Sequence, residues 1–172
     1  MLEIQTIFSL KNKKLKMTKE QKLIFAVDIG NLQKVKQFFE DGANIHAKND
    51  QALIRAAEFG YFEIVKYLVK KGANIHALDD KSLRLAAYYG HLEVVKYLIE
   101  NGANVHAKND LPLRNAAEDG HLKIVKYLVS QGANIHAQDD LALRLAKRNK
   151  HYRIVRYFKA LQSTQQYNRI YY

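Results

Sequence analysis

The chain has 172 residues, 48% hydrophobic and 26% charged, which is the mix of one globular domain and not of a disordered segment. It holds no cysteine, so disulfide scaffolds, thiolate-ligated zinc and thiol catalysis are excluded and a reducing compartment is expected. The net charge of +11 sits at the ends: residues 1–22 carry six lysines against two glutamates, residues 141–172 carry eight Lys or Arg and no acid, and the body between is near neutral, which argues against one continuous phosphate-tracking groove.

In chain order, residues 1–19 form a basic leader (Lys11, Lys13, Lys14, Lys16, Lys19). Its apolar start precedes the lysines instead of following them, the reverse of a secretory signal. No apolar run reaches the roughly 18 residues that span a bilayer, so the expectation is an intracellular, cytoplasmic monomer. From residue 20 the sequence repeats. Gly-Ala-Asn recurs at Gly42, Gly72, Gly102 and Gly132, 30 residues apart each time. The copies run about 20–49, 50–79, 80–109, 110–139 and 140–161. A fixed period of this size means a solenoid, in which no unit can bury its own apolar face and stacking does so.

Each unit is predicted as two short antiparallel helices and a connector. Asp50, Asp80, Asp110 and Asp140 stand where an N-cap belongs, and Pro112 falls inside the first turn, where its missing N–H is harmless. The pairs Ala56/Ala57, Ala86/Ala87 and Ala116/Ala117 keep the first helix thin, and Gly60, Gly90 and Gly120 end it. Leu92, Val95, Leu98 and Ile99 form the expected buried stripe of the second helix, which Gly72, Gly102 and Gly132 stop in successive copies. The last copy departs. Lys147 replaces Ala, Lys150 replaces Gly, and Lys159-Ala160-Leu161 stand where Gly-Ala-Asn would. A polar capping repeat is expected there, followed by a loose basic and tyrosine-rich tail over 162–172 (Tyr167, Arg169, Tyr171, Tyr172).

The Leu-x-x-Ala-Ala-x-x-Gly-His-Leu-x-x-Val-x-x-Leu core followed by Gly-Ala-Asn-x-His-Ala resembles the ankyrin repeat over residues 20–161. The resemblance implies an all-α solenoid of five stacked helix-turn-helix repeats acting as a non-enzymatic scaffold for protein–protein interaction, with no cofactor. Two features depart from the family. The unit is shorter than the usual length of about 33 residues, and the loss falls between His-Ala and the next Leu, where the family carries its β-hairpin finger, so shortened hairpin connectors are expected. The family's Thr-Pro-Leu-His is eroded to Gln51-Ala52-Leu53-Ile54, Lys81-Ser82-Leu83-Arg84 and Leu111-Pro112-Leu113-Arg114, so its bonding network must be replaced or absent. The shortened variant is similar to ankyrin arrays of giant DNA viruses of amoebae, which implies a protein partner in a host cytoplasm. Related viral adaptors carry an F-box, for which residues 1–19 or 162–172 are too short; such a role would need the recruiting partner in trans.

All seven histidines fall in two columns, His46, His76, His106, His136 and His91, His121, His151. Helices about 8–10 Å apart cannot bring same-column imidazoles to one zinc at about 2 Å each, so a hydrogen-bonding role is expected and no metal. The serines lack a nucleophile context, and the glycines are isolated helix stops with no phosphate loop among them. Tyr67, Tyr97, Tyr127 and Tyr157 read as a packing ridge beside the solvating Lys66, Lys96, Lys126 and Arg156. Packing positions must repeat, whereas binding positions are free to vary. The varying positions are Glu58-Phe59, Tyr88-Tyr89 and Glu118-Asp119 before the glycine, Gln51, Lys81 and Leu111 opening the helix, Arg84 and Arg114 at its fourth residue, and Leu78 in the connector. In the ankyrin family the inner-helix ends lie on the concave side and touch partners, so these twelve are the candidate partner-binding residues. Arg148, Lys150, Arg153, Arg156 and Lys159 are either a solubilising cap or an electrostatic site for nucleic acid or an anionic membrane.

Overall fold

A computed structural model describes the backbone of residues 17–171 and the side chains of residues 17–164. Among the described residues the secondary structure is helical throughout: α1 (Lys19–Asp28), α2 (Leu32–Glu40), α3 (Ala47–Glu58), α4 (Phe62–Lys70), α5 (Ala77–Tyr88), α6 (Leu92–Glu100), α7 (Ala107–Glu118), α8 (Leu122–Ser130), α9 (Ala137–Arg148) and α10 (Tyr152–Tyr171). The odd-numbered helices pack side by side as an inner row, and the even-numbered helices form an outer row, each against its own inner partner. The core is the seam between the rows. Ala56, Ala57, Ala86, Ala87, Ala116 and Ala117 are fully buried where inner helices meet, and Leu53, Leu83 and Leu113 fill the space between layers. Truncating one such leucine costs about 2–5 kcal/mol.

The buried stripe of the outer helix is narrower than expected. Val94, Val95 and Leu98 are buried, while Leu92 and Ile99 are only part-buried. Val94, two residues after the helix-opening Leu92, takes the buried place instead.

The helix stops act as their positions demand. Gly60, Gly90 and Gly120 have φ of 72°, 85° and 82°, the left-handed backbone that ends a helix without a Cβ clash. Where Gly60's counterpart is Lys150, α9 still ends at Arg148 and Lys150 takes the left-handed backbone at φ 63°, but where Gly-Ala-Asn is missing the outer helix continues. The outer helices α4, α6 and α8 have nine residues each, whereas α10, without Gly-Ala-Asn, has 20 and carries helical backbone to Tyr171. The segment expected as a loose tail after residue 161 is therefore helical up to Tyr171. At the other end Thr18 and Gln21 form a reciprocal capping box that starts α1.

The shortened connector takes a form that the sequence reading did not specify. Three consecutive residues per junction adopt left-handed backbone: Lys48, Asn49, Asp50; Leu78, Asp79, Asp80; Lys108, Asn109, Asp110; and Gln138, Asp139, Asp140, with φ between 50° and 58°. This tight turn replaces the hairpin finger. Left-handed backbone costs roughly 1–2 kcal/mol per residue, less for Asn and Asp, so each junction needs compensating bonds.

Candidate functional site

Those bonds come from the aspartates. Asp50, Asp80 and Asp110 are buried, and their carboxylates are not spent on capping their own helices. Oδ1 of each accepts the backbone N–H of an asparagine 24 residues on: Asn74 at 2.7 Å, Asn104 at 2.9 Å and Asn134 at 2.8 Å. The same oxygen takes Nδ1–H of the histidine four residues back, His46, His76 and His106, at 2.9–3.1 Å. Since a carboxylate only accepts, Nδ1 must carry the proton. The asparagine side chains in turn accept the backbone N–H of the next histidine. Glu20 stands in for Asp in the first repeat and takes the Asn44 N–H at 3.3 Å. Its own backbone N–H and that of Asn44 hold its carboxyl below the usual carboxylate range. This ladder replaces the eroded Thr-Pro-Leu-His network, and the expected N-cap role of these aspartates is corrected to a clamp that holds each repeat's connector on the start of its own inner helix and takes the last histidine of the repeat before.

The second histidine column clamps the other end of the inner helices. Nε2 of His91, His121 and His151 donates to the carbonyls of Glu58, Tyr88 and Glu118 at 2.8–2.9 Å. Each ring lies flat on the glycine of the preceding repeat. A Cβ on Gly60, Gly90 or Gly120 would come within 2.3–2.7 Å of it. These glycines are thus required twice, for backbone and for contact. Among the described residues no group of three or more His, Asp or Glu side chains is placed to hold a metal ion.

Above these clamps lie the candidate partner residues. Phe59, Leu78, Tyr88 and Tyr89 are all exposed, as is Asp119. The Tyr88 and Tyr89 rings meet edge to face, 4.9 Å between centroids. Phe59 lies under the Arg55 guanidinium at 4.6 Å, and Arg55 is fixed by Asp28 at 2.8 Å and Glu58 at 2.9 Å. The hydrogen bond that Arg55 donates to Asp28 holds the guanidinium above its ordinary pKa. Two exposed apolar residues of this surface, Phe25 and Ile29 on the first repeat, were missed by the sequence reading. Ile29 lies 30 residues before Phe59 and 60 before Tyr89, and carrying the register back into the weak first copy would have found it.

The remaining candidates are half-buried and partly committed. Arg84 donates to the left-handed-turn carbonyls of Asp79 and Leu78 at 2.9 and 2.8 Å, and Arg114 donates to the Lys108 carbonyl at 2.9 Å and to Gln138 at 2.7 Å. Burial lowers the Arg114 pKa from its ordinary value. Glu118 pairs with Arg148 at 2.6 Å, and Gln51, Lys81 and Leu111 are half-buried at the helix starts. The basic set divides similarly. Lys150 and Arg153 line one cleft, and Arg153 and Arg156 line the next. Arg148 is tied to Glu118, and Lys159 lies on neither cleft. The tyrosine column packs as a ridge, with Tyr67 edge to face on Phe39 and Tyr97 on Phe62, and burial raises the phenol pKa of Tyr67, Tyr127 and Tyr157.

Helical hairpins on a 30-residue period, held by recurring aspartate and histidine clamps, define a repeat solenoid with a variable surface at its inner-helix ends. A family model described as ankyrin repeats in three copies matches residues 7–79, 23–109 and 83–169. The chain belongs to the ankyrin repeat family, whose members generally serve as protein-interaction scaffolds. No curated protein matches it. No helix among the described residues is long and apolar enough to cross a membrane.

Proposed function

We propose that the chain is a non-enzymatic scaffold that binds a protein partner through the ends of its inner helices, with Ile29, Phe59, Tyr88 and Tyr89 as anchors. One observation carries this reading: equivalent positions of the first three repeats, Ile29, Phe59 and Tyr89, are all exposed and apolar, and the same position turns polar at Asp119 and Asn149. Neighbouring helices lie about 8–10 Å apart, so the three side chains form a row on rigid elements. Buried aromatics on such a surface dominate binding energies, and the clamps beneath remove the cost of ordering it.

The test is affinity capture from native cells with the wild-type chain and with a Tyr88→Ala/Tyr89→Ala variant, followed by titration of the captured protein. Hot-spot truncation of about 2 kcal/mol or more predicts a loss of roughly thirtyfold or greater. An unchanged affinity refutes the assignment.

A further inference from the structure

The outer helices carry a second pattern, visible by comparing the repeats with one another. The third residue before each column cation is Glu63, Glu93, Lys123 and Arg153 in turn. In the two earlier repeats the glutamate neutralises its partner, Glu63 to Lys66 at 3.2 Å and Glu93 to Lys96 at 3.1 Å, and both lysines are half-buried. In the two later repeats the acid is replaced by a base. Lys123, Lys126, Arg153 and Arg156 are all exposed, and none of them is in an ion pair.

Lys126, Arg153 and Arg156 line the α8–α10 groove, and Lys123 stands beside it, exposed one turn before Lys126 on α8. A cleft of about 300 Å³ there is lined by Leu122, Lys126, Arg153, Arg156 and Tyr157. It runs into a second of about 320 Å³, which shares Leu122 and Arg153 and adds Lys150 and the Tyr152 ring, 67% exposed. No carboxylate lines either. The equivalent cleft between α2 and α4 has Glu63 in place of Arg153 and about half the volume, 160 Å³.

We propose that this face binds single-stranded nucleic acid, with Lys123, Lys126, Arg153 and Arg156 on the phosphates and Tyr152 as the stacking platform for a base. Uncompensated cations on two adjacent helices follow a backbone of repeated charge, and an exposed ring between cations supplies the sequence-tolerant contact that a base needs. An acidic peptide would use the cations and leave the ring idle. A duplex offers no unstacked base, and an anionic lipid headgroup offers no planar ring to stack on Tyr152.

The test is fluorescence anisotropy with labelled oligothymidylate, alongside a duplex, oligoglutamate and phosphatidylserine vesicles. With four phosphates engaged, log K should fall with log salt at a slope of roughly −3. Lys123→Glu/Arg153→Glu recreates the Glu–cation spacing of α4 and α6, so the fold should be retained, while affinity should drop more than about tenfold. Lys22→Glu/Lys34→Glu, equal in net charge and at the far end of the stack, should stay within about twofold, the expected result for screened remote charges. Tyr152→Ala should weaken oligothymidylate about tenfold and leave heparin binding unchanged. The proposal is overturned if oligothymidylate does not bind at low salt, or if the duplex, oligoglutamate or vesicles bind as tightly. It is equally overturned if the remote double variant loses as much as the local one, or if Tyr152→Ala changes nothing.

Discussion

Replacing Asp80 by alanine removes two bonds at one oxygen: the Asn104 N–H at 2.9 Å, which ties the connector at the end of the third repeat back to the start of that repeat's inner helix, and His76 Nδ1–H at 3.1 Å, from the end of the second repeat. It also places alanine at φ 54°, where aspartate is better tolerated. Asp140 separates these effects. It has the same left-handed backbone, φ 58°, and the same histidine bond, to His136 at 2.7 Å. The asparagine column, however, ends at Asn134, and residue 164 is a threonine within α10. Backbone strain and the local histidine bond are therefore common to the two substitutions. The bond to the connector asparagine belongs to Asp80 alone. A hydrogen bond to a charged group contributes about 1.5–3 kcal/mol, and stranding the amide N–H adds to its loss. Asp80→Ala should thus cost about 2–3 kcal/mol more than Asp140→Ala. Urea unfolding followed by far-UV circular dichroism gives both values. An unchanged m-value for Asp80→Ala would show that the stack still unfolds as one unit. Equal costs for the two variants, within about 0.5 kcal/mol, the additivity error for independent sites, would refute the clamp.

Two further outcomes follow from the same geometry. Ser82 Oγ is buried without a hydrogen-bond partner where the other repeats carry Ala52, Pro112 and Ala142; Ser82→Ala should stabilise the chain by about 1 kcal/mol in urea melts, and a loss would mean that the hydroxyl has a partner. Gly90→Ala should cost well over 2 kcal/mol, because the new Cβ would lie 2.6 Å from His121 at φ 85°, whereas Gly102→Ala, with nothing within 4 Å, should show only the backbone penalty. His121→Ala introduced with Gly90→Ala should recover the difference in a double-mutant cycle.

Much of this architecture is legible in the sequence because a fixed register makes each position its own control. The glycine stops, the thin alanine faces and the exposure of Phe59, Leu78, Tyr88 and Tyr89 all follow from comparing copies. What escaped is what local chemistry leaves degenerate. Lys-Asn-Asp and Leu-Asp-Asp suit a short hairpin as well as a run of left-handed residues, and only Asn and Asp hint at the latter. The bond from Asp50 to Asn74 joins residues 24 apart, and an aspartate ahead of a helix reads first as a cap. Arg84 and Arg114, like Arg144, brace the left-handed turn six residues back, so the change from Ile54 to Arg at this position does not by itself distinguish bracing from binding. Phe25 and Ile29 were hidden by the weak first copy.

The two surfaces run in opposite directions along one stack. Inner-helix ends are apolar at Ile29, Phe59 and Tyr89 and polar from Asp119 onward, while outer helices are charge-paired at Glu63 and Glu93 and cationic from Lys123 onward. Both changes fall at the fourth repeat. Neither touches the clamp residues, since Asp80, Asp110, His121 and His151 keep the same partners on both sides of that boundary. The bonds that hold repeats together therefore leave the two faces free to diverge, and they fix the distance between them. The two surfaces adjoin at that boundary, since the Tyr88 carbonyl accepts from His121 at 2.8 Å and Lys123 follows two residues on.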